Sequence, residues 1–413
     1  MATYYVTQAG SGNGSGSSYE NSESVANHNA DTFAADDIIY LCDTITSQVT
    51  PPSSGTDGHQ ITYRGDYAGH AGIVDRNGGG NICIAVYLTS YLTFSHLTIK
   101  DSTYIGIWSS DDTKQNGIII EYCDFSELAQ GLSLHGDDCQ IRYCTFTGNS
   151  GYPAIEFRDI NNSHSSNFLI EYNTFTNIGG GGYTNAGIMY DSDTFADNSD
   201  FHQGITRYNY FNGVAGRAID GFLGNSYIYY NVIANVTNDA AGSAIAIEIN
   251  GKNNLIANNI IYESANYGIF VNSDPVAGDV ANIIKNNIIY STSVNHIVGV
   301  SAGTVAATPP VFDNNVYWMG SGGEVKYYWD DADHTFTNWK VHAGDANSIE
   351  ADPLFVSATN FRLQSGSPCR NAGVDLGLTQ DFKGTKVPCG SNPDMGAFEF
   401  VGYPDNIVYN FVA

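Results

Sequence analysis

Four phrases share one frame: YYNVI (229–233), ANNII (257–261), KNNII (285–289) and DNNVY (313–317). Each puts asparagine third, at Asn231, Asn259, Asn287 and Asn315, with aliphatic or aromatic residues straight after it. Earlier the frame reads EYCDF (121–125), RYCTF (142–146), EYNTF (171–175) and RYNYF (207–211), with Cys123, Cys144, Asn173 and Asn209 third. Successive third residues are 21, 29, 36, 22, 28, 28 and 28 residues apart. One unit recurring at a period of roughly 20–50 residues marks a solenoid. Within the units β-branched and aromatic residues alternate, and no stretch keeps a 3.6-residue period, so the units are strands. The expected fold is all-β, a parallel β-helix with coils stacked about 4.8 Å apart.

The asparagine column reads as structure. At a corner between strands, an Asn side chain satisfies backbone groups of the turn and bonds to the next Asn one coil away. The two longest intervals hold the inserts INNSHSSN (160–167), GGGGYTN (179–185) and SDTFADNSDFHQG (192–204), which gathers the irregularity near residues 130–275. Insertions in a solenoid map to loops on one face, often the binding face. The expected division is 1–80 for an N-terminal cap and first coils, 81–317 for the core with a groove, and 318–413 for a C-terminal extension and cap. The ends must cover the solenoid's open edges.

Composition agrees. Gly is abundant at 45 residues, aromatics reach 13% with 28 tyrosines, and charged residues are only 14% of 413. The formal charge of −27 excludes a phosphate-binding face, so no nucleic-acid partner is expected. No apolar run is long enough to span a bilayer, so no membrane insertion is expected. The seven cysteines are too few for a disulfide scaffold, although Cys369 and Cys389 could pair in an oxidising compartment. The start MATYYVTQAG has neither a basic nor an apolar leader region, so any secretion signal lies outside this sequence.

A second phrase, (G/A)-I-x-φ-x, recurs in GLSLHG (131–136), AIEFRD (154–159), GIMYDSD (187–193), AIDGFLG (218–224), AIAIEING (244–251) and GIFVNS (268–273). Strand side chains alternate, so the two x positions face outward. Coil by coil they are Trp108 and Ser110, Ser133 and His135, Glu156 and Arg158, Met189 and Asp191. Then come Asp220 and Phe222, Ala246 and Glu248, Phe270 and Asn272. Aromatics beside carboxylates suit a sugar groove, where ring faces stack on sugars and acids bond hydroxyls. Asp191, Asp220 and Glu248 are the candidate catalytic acids. His135, Glu156, Arg158, Trp108, Phe222, Phe270 and Asn272 are the candidate substrate-binding residues. One coil and one outward position apart, successive acids would lie about 8 Å from each other. That spacing matches inverting glycoside hydrolases, at about 6.5–9.5 Å, and not retaining ones at about 5–5.5 Å.

Hydrolysis requires no cofactor. A rival is a polysaccharide lyase, which needs cations to neutralise a uronate; the strip offers Arg158 as its permanent cation, and calcium could bind at Asp137 with Asp138 or at Asp191 with Asp193. A second rival is a non-enzymatic glycan-binding surface protein, in which His135 is an ordinary surface histidine and GDD (136–138) a turn.

The opening YYVTQAGSGNGSG (4–16) and the ending ADPLFVSATNFRLQSGSPCRNAG…PDMGAFEF (351–400) resemble the two ends of right-handed parallel β-helix proteins active on polysaccharides. The middle, EYNTFTNIGGGGYTNAGIMYDSD (171–193) through RYNYFNGVAGRAIDGF (207–222), resembles the disaggregatase-related proteins of methanogenic archaea. The resemblance implies right-handed coils, a polysaccharide substrate cut outside the cell or at its surface, and a monomer. The chain lacks the NTD, GHG and RIK phrases of polygalacturonases, which speaks against pectin hydrolysis.

Overall fold

The computed structural model describes residues 1–109, 113–158, 165–179, 185–191, 203–238, 243–272, 280–292, 296–320 and 324–402. By internal contacts the chain forms two units, Met1–Phe195 and Ala196–Ala413. Both are built from parallel coils, and each coil contributes three short strands.

In the second unit one coil runs through Tyr227–Tyr229, Val232–Thr237 and Ile245–Ile249, and the next through Leu255–Ala257, Ile260–Ser264 and Tyr267–Val271. The coils pair in parallel and in register, so the same residue type recurs at the same place. Ile228, Ile256, Ile284 and Phe312 stack in the first strand position; Ile219, Ile247, Ile269 and Val298 stack in the third. All eight are buried. In the first unit Ile120, Ile141 and Ile170 form the matching stack, beside the rings of Phe125, Phe146 and Phe175 at 4.8 and 5.0 Å.

The corner between first and second strands fixes this register. Its first residue is left-handed at nine successive corners: His96, Tyr122, Tyr143 and Tyr172 in the first unit, and Tyr208, Tyr230, Asn258, Asn286 and Asn314 in the second, with φ between 53° and 58°. That conformation costs an L-residue roughly 1–2 kcal/mol. In the first unit ring stacking offsets part of it, with Tyr122 on Tyr143 at 4.9 Å and Tyr143 on Tyr172 at 5.0 Å, both 3° from parallel. In the second unit most corners use Asn, which tolerates the conformation best.

The next residue is the buried asparagine. The amides of Asn209, Asn231, Asn259 and Asn287 donate to the side-chain Oδ1 of Asn231, Asn259, Asn287 and Asn315 at 2.9–3.0 Å. Each Nδ2 also donates to that same Oδ1 at 3.0–3.1 Å, and Asn259 and Asn287 donate back as well, to Ile228 O and Ile256 O at 3.0 and 2.9 Å. Ser348 ends the run by accepting from the Asn315 amide at 2.7 Å. In the first unit Asn173 accepts from the Cys144 amide and donates to Ile141 O. A second ladder was missed from sequence. Ser226 donates its amide to Asn254 Oδ1, and Asn254 donates to Asn282 Oδ1, both at 3.0 Å. Its signal is a polar residue five places before Asn231, Asn259 and Asn287.

The tail departs from the expected end cap. Residues 372–396 run along the flank of the second unit, over its left-handed corners. Tyr208 Oη donates to Gln380 O at 3.0 Å, Asn258 Nδ2 to Asp394 O at 3.1 Å, Asn286 Nδ2 to Val374 O at 2.8 Å, and Asn314 Nδ2 to Ala372 O at 3.1 Å. The tail is knotted by Asp381, Asp394 and Glu399, whose carboxylates accept backbone amides. Burial pushes the carboxyls of all three up. The rings at the last coil belong instead to the helix Phe336–His342: Trp339 is fully buried against Phe312 and Tyr327. Cys369 is buried, Cys389 exposed, and both are free thiols. Among the described residues no helix is long and apolar enough to cross a membrane.

Asn259→Leu removes the acceptor of Asn231 and the donor to Ile228 O, and each buried group left unpaired costs about 1–3 kcal/mol. Urea unfolding is expected to show a loss of at least about 3 kcal/mol, against less than about 0.5 kcal/mol for Thr237→Ala on the exposed side of the preceding coil.

Candidate functional site

The outward strip of the first unit is carried by the third strands. Trp108, Ser133, Glu156 and Met189 are successive register partners. Two residues on, backbone bonds from His135 to Ser109 Oγ (2.6 Å), Arg158 to Leu134 O (2.8 Å) and Asp191 to Phe157 O (2.9 Å) set His135, Arg158 and Asp191 in a second column. The Glu156 carboxylate accepts from Gln130 Nε2 and Ser133 Oγ, both at 2.8 Å. Arg158 reaches back two coils to Ser109 O at 2.6 Å and lies 5.8 Å over the Trp108 ring. One indole face therefore carries a guanidinium, and Tyr87 meets the ring edge-on at 5.3 Å.

His135 does not line an open wall, contrary to the sequence expectation: it is 3% exposed. The preceding coil packs tightly beside it: the Gln115 amide donates to His135 O at 2.8 Å, and a Cβ at Gly136 would stand 2.0 Å from Gln115 O. Asp137 is engaged by Lys114 Nζ at 2.9 Å and Ser166 Oγ at 2.7 Å. Burial opposes its ionisation, but these two partners outweigh it and hold the carboxyl below its usual range. Among the described residues no cluster of three His, Cys, Asp or Glu side chains could hold a metal ion. Ser110 and Asp193 lie outside the described residues, as do most residues of the three inserts.

In the second unit the register differs from the expected one. Asp220 pairs directly with Glu248, Glu248 with Phe270, Phe270 with Gly299, and Gly299 with Tyr328. Glu248 is not one outward position away from Asp220; it occupies the same position one coil on. Ala246 shares the face of Glu248, as expected, but is covered, with no exposure. The cause of the register difference is legible in AIAIEING: the template fits at Ala244 and again at Ala246, because an alternating pattern is unchanged by a slip of two. The neighbouring column is Phe222, Asn250 and Asn272, linked by amides of Asn250 to Gly221 O (3.1 Å) and Asn272 to Ile249 O (2.9 Å). Asn250 was missed for the same reason.

The two acids are thus about 4.8 Å apart along the stack and not about 8 Å. They are also largely buried, Asp220 at 9% and Glu248 at 6% exposure, so the expected open groove narrows here to a covered site. A cation absent from the sequence reading makes this possible. Arg217 bonds through Nε to Glu248 Oε2, and the same nitrogen is 3.5 Å from Asp220 Oδ2. Its signal was GRAID (216–220), a cation three residues before the acid. Arg158 is therefore not the sole permanent cation on the outward strands.

No family model matches the sequence, and no curated protein matches it. Solved structures do. A GH136 lacto-N-biosidase from Eubacterium ramulus aligns with a TM-score of 0.57 at 11% identity, covering 80% of this chain and 67% of that one. XylC, solved in complex with xylose, aligns with a TM-score of 0.53 at 11% identity over 97% and 98% of the two chains. The chain is a parallel β-helix. At such identity the likeness establishes the fold, and the disaggregatase resemblance rests on the sequence phrases alone.

Arg217→Met leaves two carboxylates buried side by side. The expected cost, read by urea unfolding, is about 3–5 kcal/mol, the usual penalty for removing one partner of a buried ion pair. A deficit below about 0.5 kcal/mol, the range of an ordinary surface substitution, would contradict the bridging role.

Proposed function

We propose that this β-helix is a polysaccharide-cleaving glycoside hydrolase acting through Asp220 and Glu248. The observation that carries the reading is the in-register acid pair bridged by Arg217. Two carboxyl groups about 5–5.5 Å apart suit a retaining mechanism, whereas about 6.5–9.5 Å is needed to seat a water between acid and base. A one-coil backbone spacing of about 4.8 Å lies nearer the first class, which favours double displacement over the inverting mechanism expected from sequence.

Glu248, bonded to the guanidinium, attacks the anomeric carbon, forming the glycosyl–enzyme ester. Asp220, held more loosely by Arg217, gives its proton to the departing glycosidic oxygen. It then takes a proton from the water that displaces Glu248, which releases the sugar with its anomeric configuration kept. Phe222, Phe270 and Asn272, in the same unit as the acids, are the proposed sugar-contacting residues beside them; Trp108, Glu156, Arg158 and Asp191 belong to the outward strands of the first unit and are not part of this site. The substrate is a neutral glycan, because a chain of net charge −27 with paired acids at its site repels polyuronates. The lyase reading is disfavoured on one observation: Arg217, the cation beside the acids, is already committed to both of them. The reading places the protein outside the cell or at its surface, as a monomer with no required cofactor.

The test uses arabinoxylan, galactomannan and mixed-linkage glucan, with polygalacturonate and alginate as acidic controls. Reducing ends are expected from a neutral polymer, with Glu248→Gln and Asp220→Asn each lowering the rate by about 10²–10⁴-fold. Proton NMR of the first-formed product is expected to show the substrate's own anomer. An inverted anomer, full activity in both variants, or ultraviolet-absorbing unsaturated products from the acidic polymers would overturn the reading.

A further inference from the structure

The column that holds the acid pair continues into rings. Beyond Glu248 come Phe270, Gly299 and Tyr328 on successive coils, and beside them Tyr267 pairs with His296. Four rings gather there: Tyr267 to Phe270 at 4.7 Å, Tyr267 to His296 at 5.2 Å and 13° from parallel, His296 to Tyr328 at 5.3 Å, and Phe270 to Tyr328 at 6.5 Å. They are not core. The inward positions of these coils are filled by Ile269, Val298 and Tyr327, all fully buried, whereas the four rings are only half-buried on the other side.

Gly299 is what lets them lie there. A Cβ at Gly299 would stand 2.7 Å from both Phe270 Cδ2 and Tyr267 Cε1, closer than real contacts allow. Its backbone is not left-handed, so the glycine serves space and not chain conformation. The cut-out keeps the Phe270 and Tyr267 rings down over the next coil. A polar rim orients the cluster: His296 Nε2 meets Asp333 Oδ1 at 2.7 Å, Lys326 Nζ is 3.5 Å from Asp333 Oδ2, and Tyr328 Oη donates to Asp331 Oδ1 at 3.1 Å. Burial pushes the Tyr267 hydroxyl up to about 12, so it stays a hydrogen-bond donor throughout the working range.

We infer that Tyr267, Phe270, His296 and Tyr328 form a platform for the apolar face of a neutral pyranose, starting one coil, about 4.8 Å, beyond Glu248. This rests on the reading of Asp220 and Glu248 as the cleavage site, and adds to it a direction: the glycan lies along the stacking axis, with its bound end over Phe270 to Tyr328. Asp331 and Asp333 on the rim exclude a uronate and leave hydroxyls as the groups to be bonded.

The test is retardation of the full-length Glu248→Gln chain in native gels cast with arabinoxylan, galactomannan or mixed-linkage glucan. At least one polymer is expected to retard it. Adding Phe270→Ala with Tyr328→Ala, or Gly299→Val alone, is expected to weaken that binding at least ten-fold, while Phe270→Tyr restores it and shows that the fold survives. Equal retardation in the platform variants, or none by any of the three polymers, overturns the platform. Full reducing-end release by Glu248→Gln would instead overturn the cleavage reading and leave the platform standing.

Discussion

The structure depends on a buried asparagine whose side chain does the work of a missing backbone neighbour. At the corner between first and second strands the chain turns through a left-handed residue, and the next amide points along the stack where no strand partner exists. The Oδ1 of the asparagine one coil on accepts that amide, while its Nδ2 supplies a carbonyl on the preceding coil. A buried unpaired amide costs more than a typical hydrogen bond gains, so the alternatives to this registration are penalised heavily. In the second unit each coil is locked to its neighbour at this corner and again at the ladder of Ser226, Asn254 and Asn282, and the other residues inherit that alignment.

Function is proposed to follow from this inheritance. Asp220 and Glu248 are 28 residues apart in the chain, yet the ladder sets them side by side because their coils each carry an asparagine at the same corner. Stacking brings like charges together as readily as like methyl groups, and Arg217 resolves the conflict by bonding one acid and lying near the other. The cation sits on the same strand as Asp220, so it is delivered by the same register that creates the repulsion.

Much of this was legible in the sequence, and the failures have physical causes. The solenoid could be read from the spacing of Asn231, Asn259, Asn287 and Asn315, since a period that exact has few other meanings. The outward identity of Asp220 and Glu248 could be read from alternation. Their relative position could not: AIAIEING satisfies the pattern at two offsets, and only pairing with a neighbouring coil selects one. Arg217 escaped because the pattern looked at positions after the aliphatic residue and not before it. The tail escaped for a different reason. Its contacts with Asn258, Asn286 and Asn314 join residues 58 to 138 apart through single side-chain amides, and nothing in local periodicity encodes such a docking.

The claim on which the account turns is that Glu248 lies in line with Asp220 and against Arg217. The direct measurement is a double-mutant cycle on unfolding free energy with Arg217→Met, Glu248→Gln and both together. Side chains in contact couple by about 0.5–3 kcal/mol, and coupling at the upper end is expected here because the pair is buried. Additive losses within about 0.5 kcal/mol would mean that the two side chains do not touch, and the proposed site would go with them.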